Sequence, residues 1–185
     1  MKNLLIVVDM INGFINEGLL HDKKINDIIP ACSKHIADFI SEGQEIIAFC
    51  DAHSESSKEF RAFPPHCLQG SNESELVAPL KQFEDKMQLI FKNSTNGFFA
   101  PGFKPYKERL GDYNKILIVG CCSDICVLQL ALSLQAYCNE NNYDCEIQVD
   151  VAACETFEID GHSRRDYNEL AFNLMANAGI TLLNR

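Results

Sequence analysis

KILIVGCCSDICVLQLALSLQAY, residues 115–137, is an apolar strand-like run that stops at Gly120, turns through residues 121–124 and enters a helix near Cys126. Strand, turn and helix in that order are the unit from which α/β sheets are built. The turn also sets a thiol at a helix N-terminus, where unpaired N–H groups and the helix dipole favour negative charge. Cys126 is therefore expected to ionise more easily than a solvated or core cysteine, as a nucleophile would. The competing reading is a small apolar side chain filling space, one of nine cysteines in the chain. Other segments must decide, because a catalytic cysteine needs a base and a charge-stabilising group from elsewhere in the fold.

Similar apolar runs rich in Ile and Val recur at 4–8, 45–50, 88–91, 115–119, 146–151 and 180–183. They lack polar alternation, as expected of strands buried on both faces of a parallel sheet. Between them, helical periodicity marks 25–42, 75–83, 106–110, 125–139 and 162–178. Strands alternating with helices predict an α/β domain with right-handed crossovers. Residues 54–75 are loop-like, interrupted by Pro64, Pro65 and Gly70, and a connection that long in a compact domain is often functional.

The chain's 185 residues suit one domain, 1–185, with a real core. With 26 acidic residues against 16 basic ones, a net charge of −10 and no Lys/Arg cluster, neither nucleic acid nor an anionic membrane surface is an expected partner. MKNLLIVVDM reads as a strand rather than a signal peptide, because Asp9 interrupts the apolar run and no small-residue cleavage site follows. No stretch is long enough to span a bilayer. The odd, scattered cysteine set reads as reduced thiols in a cytoplasmic protein. Cys121, Cys122 and Cys126 are close enough to suggest a soft metal, but adjacent cysteines rarely point at one ion.

In open parallel sheets the ligand crevice lies at the carboxyl ends of the strands. Asp9 closes the first run, Asp51 and His53 follow the second, Lys92 ends the third, and the turn to Cys126 follows the fourth. Asp9 is either a turn cap or a functional carboxylate. A partnership with Lys92 would offset the desolvation cost of both. Asp9, Lys92 and Cys126 then make a cysteine hydrolase triad, the carboxylate accepting the thiol proton and the ammonium favouring both anions. The amides of the turn offer an oxyanion hole. In an extended segment Asp51 and His53 project to one side, and His66 in the following loop completes a mixed N and O donor set for zinc, iron or manganese. Strand-end caps and a turn histidine are the plainer reading of the same residues. His162, beside Arg164 and Arg165, reads as a surface or capping residue.

LLIVVDMINGF, DAH, FPPHCLQGS, FKNSTNGFF and VGCCSDICV occur in an order that resembles the isochorismatase-like cysteine hydrolases, and within them the nicotinamidases, over nearly the whole chain. The resemblance implies a three-layer α/β/α fold with a six-stranded parallel sheet in the order 3-2-1-4-5-6. It implies Asp9 as general base, Lys92 as catalytic lysine and Cys126 as nucleophile, a cis Cys121–Cys122 bond, and the amides of Cys122 and Cys126 as the oxyanion hole. It further implies Asp51, His53 and His66 as ligands of one divalent metal, zinc first and iron or manganese as alternatives. Glu59 falls where some members have a further ligand. Phe14 and Phe63 match two aromatic walls around a pyridine ring, and Phe98 ends the segment after the lysine that also reaches the substrate. Members are often homo-oligomers, and nothing in the sequence selects a subunit number.

The departures are Ile11 where a glutamine is common, Phe63 where a tryptophan is frequent, Asn96 and Gly97 in place of a Ser-Ala pair, and Cys121 opening the turn. The expected activity is hydrolysis of nicotinamide to nicotinate and ammonia through a thioester. The alternatives are another small amide, an isochorismate-type substrate, or a non-catalytic binding protein on the same fold.

Overall fold

Branched apolar residues that face a layer on each side have no polar alternation, and a computed structural model describing residues 2–185 shows both layers. The elements are β1 (Asn3–Val8), α1 (Asn12–Ile15), α2 (Ile29–Ser41), β2 (Glu45–Asp51), α3 (Ala78–Lys81), β3 (Gln88–Lys92), α4 (Lys104–Lys107), β4 (Lys115–Cys121), α5 (Leu128–Asn141), β5 (Glu146–Glu155), α6 (Arg164–Asn177) and β6 (Thr181–Leu183). The six strands form one sheet in the order β3-β2-β1-β4-β5-β6, with every neighbouring pair parallel.

The period-two geometry of a strand sorts its side chains between two cores. Leu4, Ile6 and Val8 of β1 join Val127, Leu130 and Leu134 beneath α5 and Phe172 and Met175 of α6. Leu5 and Val7 join Ile29, Cys32, Ile36 and Phe39 of α2 on the other face. The result is the expected α/β/α sandwich. Gly120 marks its tightest point: at φ +120°, a β-carbon there would lie 2.1 Å from the carbonyl oxygen of Val8. Only glycine fits.

The helices differ from the sequence reading in instructive ways. Residues 25–28 belong to a 3-10 turn, and the α-helix proper begins at Ile29, with Pro30 in a first turn that has no need of its N–H. Over 75–83 the helix shrinks to Ala78–Lys81. Residues 75–77 instead pair with the segment after β1: Asn12 N–H donates to Glu75 O at 3.0 Å and Val77 N–H to Met10 O at 3.1 Å. The helix expected at 106–110 is the single turn α4, shifted to start at Lys104. The helix expected at 125–139 begins as a π-turn, Ser123–Val127, that runs into α5. α6 begins at Arg164, capped by the Ser163 side chain, which accepts from Asp166 N–H. β5 runs on to Glu155 past a register shift against β4. Among the described residues no helix is long and apolar enough to cross a membrane.

Candidate active site

Three neighbouring strands of a parallel sheet end at one edge, so residues that end β1, β2 and β3 meet there. Asp9 follows β1 with φ +52°, a backbone conformation uncommon outside glycine, and its N–H is held by Phe49 O at 3.0 Å. Asp51 ends β2 and Lys92 ends β3, adjacent in register. Lys92 Nζ lies 2.8 Å from Asp9 Oδ2, 2.5 Å from Asp51 Oδ1 and 3.2 Å from the Ser94 carbonyl oxygen, to which it donates. It also reaches Cys126 Sγ at 3.9 Å. Asp51 N–H donates to Asp9 Oδ1 at 3.0 Å. The structure thus gathers Asp9, Lys92 and Cys126, all buried. The Cys121–Cys122 peptide is cis, and the N–H groups of Cys122 and Cys126 flank the first turn that carries the thiol.

Burial disfavours charge, and one ammonium serves two carboxylates. For Lys92 the two carboxylates outweigh the desolvation cost and hold the ammonium well above its ordinary range. Desolvation also works against Asp51, but the Lys92 ammonium overcomes it and keeps the carboxylate below its usual range. Asp9 has no such surplus: burial, reinforced by Asp51, pushes it up to about 7 despite Lys92.

One electrostatic expectation is overturned. Burial and the nearby carboxylates raise the Cys126 thiol well above its ordinary value, and Lys92 only partly opposes them. The resting group is therefore a thiol, and the helix-end argument fails because desolvation of a buried sulfur outweighs it.

Beside the triad, the second oxygen of Asp51 faces the histidines. His53 Nε2 is 3.5 Å and His66 Nε2 3.8 Å from Asp51 Oδ2, and Glu59 Oε1 is 3.7 Å from His53 Nε2. One donor atom from each of Asp51, His53, Glu59 and His66 lies within 4.8 Å of the others. The outer ring nitrogens fix the tautomers: His66 Nδ1 sits 2.8 Å from the Pro64 carbonyl oxygen and His53 Nδ1 3.2 Å from Asn93 Oδ1. With those nitrogens donating, both Nε2 lone pairs point inward, and His53 Nε2 is buried without a hydrogen-bond partner. A buried orphan acceptor among N and O donors fits a divalent cation. That Asp51 joins the triad to this set escapes sequence reading, because a D-x-H spacing reveals one partner of a carboxylate and not both.

A cavity of about 370 Å³ opens over the thiol. Phe14 and Phe63 stand on its wall, with ring centroids 5.7 and 6.2 Å from that of His66. Phe98 does not reach it. Its ring packs in the core against Phe103 and Tyr137, because the 3-10 turn over Gly97–Phe99 directs it beneath α5. The wall also includes Ile125, Phe157, Ile159 and Leu19. Phe157 was findable: it follows the carboxyl end of β5, where the strand-end rule applies as it does to Asp9 and Lys92. His162 is not a surface residue; its side chain is 12 % exposed and bonds to Asp124. All nine cysteines are buried and free.

A thiol, an ammonium and a carboxylate at the carboxyl edge of an all-parallel sheet define the class, an α/β protein with a cysteine-centred pocket. The family model described as the Isochorismatase domain matches residues 3–184, and the chain belongs to that family of hydrolases. It is 30 % identical over 178 residues to Nicotinamidase 1 of Arabidopsis thaliana, covering 88 % of this chain and 72 % of the relative. Among solved structures it resembles the N-carbamoylsarcosine amidase of Thermoplasma acidophilum, with 25 % identity, 99 % and 96 % of the two chains covered, and a TM-score of 0.78. It also shares the fold of a zinc complex of pyrazinamidase from Pyrococcus horikoshii, with 24 % identity, full coverage of both chains and a TM-score of 0.80.

Proposed function

We propose that this protein hydrolyses the carboxamide of a small heteroaromatic amide, nicotinamide foremost, to the carboxylate and ammonia. The observation that carries this reading is the convergence of Lys92 and Asp9 on Cys126, which lines a cavity walled by Phe14 and Phe63, beside the Asp51, His53, Glu59 and His66 donor set.

Phe14 and Phe63 sandwich the flat ring; aromatic pairing of this kind contributes about 0.5–1.5 kcal/mol beyond area burial, enough to orient it. Asp51, His53 and His66, with Glu59, would hold a divalent cation, zinc foremost and iron or manganese as alternatives. When bound, such an ion supplies a Lewis-acid anchor for a ring nitrogen.

Asp9, with a pKa near neutrality, takes the Cys126 proton. The thiolate, steadied by Lys92, attacks the carboxamide carbon, forming a C–S bond while the carbonyl oxygen gains charge. The N–H groups of Cys122 and Cys126 receive that charge. Asp9 returns the proton to the nitrogen as the C–N bond breaks, and ammonia leaves a thioester. Water, losing a proton to Asp9, attacks the thioester; the C–S bond breaks, Asp9 returns that proton to the sulfur, and the product acid gives its remaining proton to solvent and departs as the carboxylate.

Ammonia release from nicotinamide tests the reading: wild type releases it and Cys126→Ala does not, whereas equal release from both sinks the mechanism. The apolar reach of the cavity to Leu19 and Ile159, past the ring sandwich, favours as second reading a bulkier amide in the same chemistry. A substrate panel separates the two.

A further inference from the structure

His162 lies in the connection between β5 and α6, and its ring is held on every side. Phe157 stacks on one face, with centroids 4.0 Å apart and planes at 9°; Tyr167 covers the other at 3.7 Å and 28°. In the ring plane, Nε2 lies 2.8 Å from Asp124 Oδ2 and Nδ1 lies 3.1 Å from the Phe157 carbonyl oxygen. A carbonyl oxygen and an ionised carboxylate only accept, and a neutral imidazole carries a single N–H. The two ring nitrogens therefore face two acceptors, one on the Cys126 turn and one on the pocket wall. Arg164, at the start of α6, pairs with Asp22, with Glu155 at 3.7 Å and with Glu158 at 3.5 Å.

The far partner gives this clamp its consequence. Asp124 belongs to the π-turn Ser123–Val127 that carries Cys126, and its other oxygen accepts from Thr156 Oγ1 at 2.5 Å. Ile125, next in the chain, lines the cavity, and Phe157 lines it from the β5 side. One ring therefore connects the turn bearing the thiol to the wall facing it.

We propose that His162 is a positioning residue: a ring that, through Asp124, fixes the Cys126 turn against the Phe157 wall. Its effect on turnover rests on the amide hydrolysis proposed above; its bonds do not. A loosened turn displaces the sulfur and the two N–H groups together, and small displacements of a reacting group cost rate more than binding.

The test uses the full chain. His162→Phe keeps the stack and deletes both donors. With a cooperative melt confirming its fold, it is expected to lose about tenfold in Cys126 alkylation by iodoacetamide, and a similar factor in kcat with little change in KM. His162→Gln, which keeps one donor, should fall between the two, and it serves if the phenylalanine variant does not fold. Variants alkylated as fast as wild type overturn the proposal. If wild type releases no ammonia from nicotinamide, the functional reading fails, while the alkylation rates still decide the role of His162.

Discussion

The two ends of strand β2 carry the same kinds of charge in opposite arrangements. At its start, Glu45 is bound by Arg109 at 3.0 and 3.1 Å through both oxygens, by Tyr113, and by Lys2 at 3.3 Å. The cluster is wet, with 36 % of the Glu45 side chain and 34 % of the Arg109 side chain exposed. Burial opposes ionisation even there, but Tyr113, Arg109 and Lys2 outweigh it and hold Glu45 below its usual range. At the other end, Asp51 and Asp9 share one ammonium in a dry site, and the carboxylate left short of positive charge becomes a base near neutrality. Excess cation in water makes a fastening, and scarce cation out of water makes chemistry.

Lys92→Met strikes the dry end hardest. It leaves two buried carboxylates without a counter-ion, and urea denaturation should show a loss of about 3–5 kcal/mol together with abolished turnover. Unchanged stability would break the comparison at its centre. Asp9→Asn, which keeps shape and removes the proton acceptor, should fold normally and lose about 10²–10⁴ in kcat/KM. Asn93→Leu removes the acceptor at His53 Nδ1 and frees the ring to present the wrong tautomer. Zinc affinity, read by calorimetry, should drop about 10–100-fold.

The wet end should matter least. Arg109→Ala is expected to cost no more than about 1 kcal/mol and to leave kcat/KM untouched. Because the folded pKa of Glu45 is depressed, its contribution is present above the ordinary carboxylate range and disappears as pH falls through the lowered value. Melting curves of wild type and Arg109→Ala should therefore differ at neutral pH and converge in acid.

The strands were legible in the sequence because burial on both faces writes itself as unbroken Ile and Val, and the strand-end rule then located Asp9, Asp51, Lys92 and Cys126. The short helices were not. Residues 75–77 have helical spacing, but their backbone bonds go to Met10 and Asn12, a partnership no local pattern records. Phe98 and His162 failed for a related reason. Each has the right residue type near the right motif, while its direction is set by contacts with Tyr137 in one case and Asp124 in the other. The ionisation of Cys126 was misjudged because a helix end is visible in sequence and the depth of burial around it is not. The helix positions that packing decides, and the charges that burial decides, lie beyond what spacing can reveal.

Gly120 pairs with Val8 across β1 and β4, pressed so close that no side chain can intervene. Parallel neighbours are about 4.8 Å apart, and that interval is a property of the main chain. The strands deliver Asp9 and Cys126 just beyond this contact, so the sheet acts as a gauge block that sets how far apart acid and sulfur stand. Loops around the pocket can be exchanged to admit a different guest without disturbing that gap, which makes selectivity and bond-breaking separable properties of one scaffold.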